Sequence, residues 1–318
     1  MDEIAVSPGK IRSSLYLTFN RDQWAQRRGN LEIKLSADDL KKILALNDKI
    51  TELEVRDFYF PITRLLELSI NNDRNLYKER NRFIGINPAK VPFIIGVTGS
   101  VAVGKSTTSR LLKTLLERIN PEYKIYIVST DNFLKNNARL KKENLMERKG
   151  FPESYDMQAL ISFLVDIKSG KASTEIPVYS HLKYDILPEK QEIINPDIII
   201  LEGLNILQVD NSKTPNQIYV SDFLDFSIFI DANVSFIKQW FIERFFLLME
   251  TAFRDKNSYF QQYSQFSREE ATETASRIWD EINGKNYEEN IIKTRYRAEL
   301  IIEKDRDHSI EKIMMKKL

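Results

Sequence analysis

From Pro92 onward the chain alternates between short apolar runs and longer stretches with helical spacing. The runs are Phe93–Val97, Ile125–Ser129, Ile198–Leu201, Phe226–Ile230 and Leu300–Ile302, rich in β-branched residues and flanked by turn residues. A strand with water on one face alternates apolar and polar side chains, whereas a strand covered on both faces stays apolar throughout. These runs therefore predict an α/β fold built on a doubly wound, mainly parallel five-stranded sheet with helices on both faces. Ahead of them the period changes. Leu40, Ile43, Leu44 and Leu46, then Leu65, Leu66 and Leu68, fall on helical apolar faces between Ser36 and about Tyr77, and Asp38 and Asp39 follow Ser36 as they would in a first helical turn. Two or three extra N-terminal helices are expected to cover the core there.

Sheets of this kind bind ligands beyond the carboxyl ends of their strands, so the residues after each run carry the chemistry. These are Gly96 to Ser106, Thr130-Asp131, Glu202-Gly203 and Asp231. Within the first, Gly99-Ser100-Val101-Ala102-Val103-Gly104-Lys105-Ser106 is a complete G-x-x-x-x-G-K-[ST] string, followed by a helical stretch from Thr107 to Arg118. Glycines let such a loop turn its amides toward phosphate oxygens, and the helix start adds partial positive charge. Lys105 is then expected on the β- and γ-phosphates of ATP, with the Ser106 hydroxyl on Mg²⁺. A turn that binds nothing is the plainer reading, and a complete motif between strand and helix outweighs it. The chain has no N-K-x-D, L-S-G-G-Q or D-E-x-[DH] string, which favours a kinase over GTPases, transporters and helicases.

Asp131 suits a base that accepts the proton of an attacking hydroxyl, although Asp after a strand often serves as an Asx turn or helix cap. Beside a complete phosphate loop the base is the favoured role. Glu202, ending a triple-isoleucine strand, is expected to organise Mg²⁺ rather than face solvent. Arg244, on an aromatic-rich helix, either balances charge on the transferring phosphoryl group or is a surface cation.

Composition narrows the partners. Lys and Arg number 47 against 46 Asp and Glu, a formal charge of +1, so no basic field draws the molecule to nucleic acid or an anionic membrane. Cysteine is absent, which removes disulfide and thiolate chemistry. Met1 to Ser14 has no apolar segment like a secretory signal, and no run approaches the roughly 20 residues of a spanning helix, so a cytoplasmic protein is expected.

The motifs in order resemble bacterial type I pantothenate kinase, of the phosphoribulokinase and uridine kinase group. Its most specific pieces are the phosphate loop with Thr107 and Thr108, Lys149-Gly150-Phe151-Pro152-Glu153-Ser154-Tyr155-Asp156, Pro177-Val178-Tyr179-Ser180-His181 and Leu201-Glu202-Gly203-Leu204-Asn205. The resemblance runs from about Leu17 to the C-terminus and implies one P-loop kinase domain. Within it, 1–90 is a helical cover, 91–232 the nucleotide-binding core, 233–292 a helical lid and pantothenate region, and 293–318 a last strand and adenine-side segment. It implies phosphorylation of pantothenate by ATP, with Asp131 as base and Lys105 and Arg244 beside it. Tyr179, His181, Arg244, Asn283 and the position of Phe241 would meet pantothenate, and Asn47 and His308 would bracket adenine. It further implies a homodimer inhibited by coenzyme A through Lys105 and Arg110, with Phe245, Phe253, Phe260 and Tyr263 around the thiol. Phe241 stands where the family has Tyr, and Leu248 where it has Phe, which bears on substrate affinity and on inhibition. The competing readings are a uridine or sugar-phosphate kinase and a non-catalytic protein that responds to ATP or coenzyme A.

Overall fold

The computed structural model describes residues 15–317 apart from 32, 34, 36, 44–49, 88 and 210–216. The strands are β1 (Tyr16–Phe19), β2 (Phe93–Gly99), β3 (Ile125–Ser129), β4 (Ser173–Ser180), β5 (Asp185–Ile194), β6 (Ile198–Gly203), β7 (Phe226–Ala232), β8 (Leu300–Lys304) and β9 (Ile310–Lys316). The main sheet has the order β1-β9-β8-β7-β2-β6-β3. The five expected strands are its parallel part, β8-β7-β2-β6-β3. β2 and β7 are buried along their whole length and β6 everywhere but Glu202, as strands covered on both faces require.

Two antiparallel strands widen the sheet to seven, β9 beside β8 and β1 beside β9. Neither shows the continuous apolar signature. β9 is broken by Glu311 and Lys312, and β1 is four residues long with Leu17 and Thr18 exposed. The β4–β5 pair forms a separate antiparallel hairpin, and most of β5 is open to solvent.

The helices needed below are α1 (Phe60–Ile84), α2 (Lys105–Ile119), α3 (Met157–Lys168), α4 (Val234–Glu250) and α5 (Arg268–Ile278). α2 puts Leu111, Leu112, Leu115 and Leu116 fully into the core and packs against α1 and the strands β2, β3 and β6. The expected N-terminal helices are a short one at Ala37–Ile43, with Leu40 and Ile43 buried, and α1, with Ile62, Leu66 and Ile70 buried. Leu68 departs from the expected apolar face. It lies two residues, about 200° of helix, from Leu66 and is 59% exposed. Ser36, Leu44 and Leu46 lie outside the described residues. Among the described residues no helix is long and apolar enough to cross a membrane.

Candidate active site

Between β2 and α2 the backbone turns through conformations that side chains resist. Gly99 has φ +140°, and a Cβ there would stand 2.2 Å from the Ile230 carbonyl oxygen of β7. Gly104, at φ +94°, is the residue from which α2 starts. Ala102 is also in the left-handed region, at φ +61°. Ser100 and Val103 point inward and are buried, which anchors the loop, while Val101 and Ala102 pack partly against the core. The Lys105 ammonium folds back and donates to the Ser100 carbonyl at 2.6 Å. Burial pushes its pKa down to about 8, Glu202 and Asp131 pull it upward, and Arg244 pushes it down. Four residues from α2, β6, α4 and the end of β3 thus share one electrostatic site.

Ser106 donates to Glu202 Oε1 at 3.0 Å, while Glu202 Oε2 and Ser100 Oγ are buried without a hydrogen-bond partner. Glu202 therefore does not face solvent as a plain strand-end residue. Orphaned buried oxygens are expensive, and an oxygen-only donor set suits a hard cation such as Mg²⁺. No cluster of three or more His, Cys, Asp or Glu residues able to hold a metal occurs among the described residues, so such a cation would depend on phosphate oxygens as well.

Asp131 sits in the tight turn Thr130–Phe133 after β3. The capping role belongs to Ser129, whose hydroxyl accepts from the Asp131 amide at 3.2 Å, so the Asp131 carboxylate is left for other work. It accepts a hydrogen bond from the buried Tyr155 hydroxyl at 3.2 Å. Next in the chain, Asn132 accepts from the Tyr179 amide at 3.1 Å, which ties the β4–β5 hairpin to the same turn.

On that hairpin Tyr179 meets His181 edge to face, with ring centres 5.2 Å apart, and lies near Tyr184. Lys149 is buried against them. Its ammonium lies 3.8 Å from the Tyr184 ring centre, donates to Asn137 Oδ1 at 2.7 Å and also donates to the Tyr184 carbonyl. Burial lowers its pKa to about 8, against the pull of Asp185 and Asp131. Burial likewise raises the phenols of Tyr155, Tyr179 and Tyr184, which keeps them neutral donors.

Phe241, Arg244, Phe245 and Leu248 are spaced 3, 4 and 7 residues apart, which sets them along one side of α4. Phe245, Phe253, Phe260 and Tyr263 do come together. Neighbouring ring centres are 5.4 to 6.1 Å apart, in a satellite cluster over Ala271 and Ala275 of α5 that Leu248 also joins. Phe260 also touches Tyr184, at 4.8 Å, so this cluster and the hairpin are continuous. Phe241 tilts against Trp279, at 5.9 Å, and Asn283 ends the wide turn Trp279–Asn283, half-buried. Arg244 is exposed.

The remaining expected residues are more scattered. Asn47 lies outside the described residues. His308, in the turn between β8 and β9, is buried at φ +72° and stacks on Trp240 of α4 at 4.2 Å. Arg110 donates to the Ile43 carbonyl at 2.7 Å and to Thr107 at 3.1 Å, joining α2 to the N-terminal helix. Asp231, expected on the ligand rim, instead accepts from Arg295 at 2.6 Å and from Tyr287 at 2.9 Å inside the protein. Lys149, Tyr155, Tyr184 and Trp240 were given no role from sequence. The first two lie in the Lys149–Asp156 string, the one signal that could have found them.

Residues 94–274 match the Phosphoribulokinase / Uridine kinase family. The chain is 50% identical over 305 residues to a pantothenate kinase of Haemophilus influenzae, covering 95% of this chain and 97% of the relative. To a pantothenate kinase of Brevibacillus brevis it is 47% identical over 311 residues, covering 96% and 97%. Among solved structures, D-glycerate 3-kinase from Cryptococcus neoformans superposes with a TM-score of 0.51 at 16% identity, covering 78% of this chain and 97% of that one, a likeness of fold.

Proposed function

We infer that this chain, which belongs to the Phosphoribulokinase / Uridine kinase family, is a pantothenate kinase that moves the γ-phosphate of ATP onto pantothenate, the entry step to coenzyme A. The carrying observation is identity near one residue in two, along almost the full length of both chains, to proteins of that activity.

The site geometry supports a division of labour. The loop amides and Lys105 hold the triphosphate, and the hairpin residues Tyr179 and His181, with Arg244 and Asn283, take pantothenate. Asp131 receives the proton of the acceptor hydroxyl as that oxygen bonds to the γ-phosphorus, and the bond from phosphorus to the bridging oxygen breaks to release ADP. Ser106 and Glu202 would hold Mg²⁺, which would supply positive charge to the phosphates. Arg244 is the smallest of the charges acting on the Lys105 proton, which supports a place for the guanidinium on the same side of the site. Coenzyme A is read as a feedback inhibitor whose thiol end enters the Phe245, Phe253, Phe260 and Tyr263 cluster. The chain is read as a homodimer, for which exposed Leu68, Leu76 and Phe83 on one side of α1 offer an apolar stripe.

A coupled assay of ADP release, run with pantothenate, uridine or ribulose 5-phosphate as acceptor, tests the reading. Turnover is expected with pantothenate alone, abolished by chelating Mg²⁺ and inhibited by coenzyme A in competition with ATP. Preference for another acceptor, or coenzyme A binding with no acceptor phosphorylated, would overturn it.

A further inference from the structure

We propose that Tyr155 is a positioning residue for the reaction, holding one oxygen of Asp131 so that the other faces the acceptor hydroxyl. The proposal rests on Asp131 as the base. Among the described residues Tyr155 is the one hydrogen-bond donor to that carboxylate, from Oη to Oδ1 at 3.2 Å. A carboxylate at the end of a short side chain rotates freely about its last bond, and a base must present a lone pair within about 3 Å of the proton it takes. One fixed hydrogen bond removes that freedom.

What qualifies Tyr155 for the task is how firmly its own backbone is set before any ligand arrives. The 149–156 segment runs antiparallel to the Asp131 turn. Leu134 and Tyr155 form an isolated bridge, the Lys135 amide donates to the Ser154 carbonyl at 2.9 Å, and the Asp156 amide donates to the Phe133 carbonyl at 2.7 Å. Inside the segment the fully buried Ser154 hydroxyl accepts from the Gly150 amide and donates to the Phe151 carbonyl. The Gly150 carbonyl is in turn held by the side-chain amides of Asn205, after β6, and Asn286. Tyr155 is 5% exposed, so its hydroxyl has no competing bulk water, and burial keeps it protonated. Asp131 is thus fixed twice, by Ser129 at its amide and by Tyr155 at its side chain.

The test is Tyr155→Phe, which keeps the buried ring and removes one hydroxyl, alone and combined with Asp131→Ala. Alone, it is expected to lower kcat about tenfold, with KM for ATP and pantothenate within about twofold and a thermal midpoint close to the parent. In the Asp131→Ala background it is expected to have no further effect on kcat, because the hydroxyl acts through that carboxylate. Loss of the same factor in both backgrounds, or a kcat within about twofold of the parent, would overturn the proposal. Near-normal turnover by Asp131→Ala itself would instead remove the base reading, a different failure that the single variants distinguish.

Discussion

Lys105 is half-buried where a polyanion is to be bound, and its proton records that conflict. Burial brings its pKa from 10.5 down to about 8. Between those values the unfolded chain binds more protons than the folded one, so this group makes the free protein more stable as pH rises through that window. A bound triphosphate reverses the preference by favouring the ammonium. ATP binding near pH 9 should therefore take up a proton, and affinity should fall as pH climbs above about 8. Calorimetry in two buffers of different ionisation enthalpy measures the uptake directly. Lys149 is lowered to about 8 as well, so Lys105→Met is the control. The variant should lose most of the uptake, and a parent protein that binds ATP without uptake would place Lys105 away from the phosphates.

At the scale of elements the decisive piece is the turn joining β2 to α2. Its first glycine faces the Ile230 carbonyl of β7 too closely for any Cβ, in a conformation that L side chains rarely adopt. Gly99→Ala should force the loop off β7 and cost at least about 2 kcal/mol. Thermal melts and ATP titration should show a lowered midpoint together with lost nucleotide binding, whereas retained binding would mean that the loop tolerates the shift. This turn and the five parallel strands were legible because each is written locally, in a spaced motif or an unbroken apolar run. The antiparallel strands β1 and β9 and the β4–β5 hairpin were not, since their pairing partners stabilise them and their own sequences alternate or carry charge. The site divides in the same way. Asp131 and Glu202 stand at strand ends, where topology alone marks them. Tyr155 meets Asp131 across 24 residues, and Lys149 meets the Tyr184 carbonyl across 35, and no spacing rule records such contacts. Asp131 and Asp231 both follow apolar runs and look equivalent in sequence, yet only the second has a guanidinium 2.6 Å away.

Across the whole molecule the two ends of the chain close one edge of the sheet. β1 pairs with β9, Tyr16 donates to the Ala298 carbonyl, and Glu54 accepts from the Ile310 amide at 3.2 Å. Beneath that edge Arg295 bridges Asp231 of β7 and Glu303 of β8, and Lys312 of β9 completes the row at 2.8 Å from Glu303. Asp231 and Arg295 are 7% and 8% exposed, so each relies on the other for the solvation it has lost. Removing one partner from such a pair typically costs about 3–5 kcal/mol, while replacing both with neutral groups of similar volume costs far less. Arg295→Ala should therefore lower stability in urea by that order, and Asp231→Asn with Arg295→Met should recover much of the loss. Burial already raises the Asp231 pKa, and Arg295 opposes that rise. Without Arg295 the folded state would bind its proton still more tightly than the unfolded chain does, so stability of the single variant should improve as pH falls toward the ordinary carboxylate range. The loop and Asp131 lie on other elements, so kcat measured well below the melting range should be nearly unchanged. Equal destabilisation of the single and double variants, at every pH, would show that packing rather than charge compensation holds this edge together.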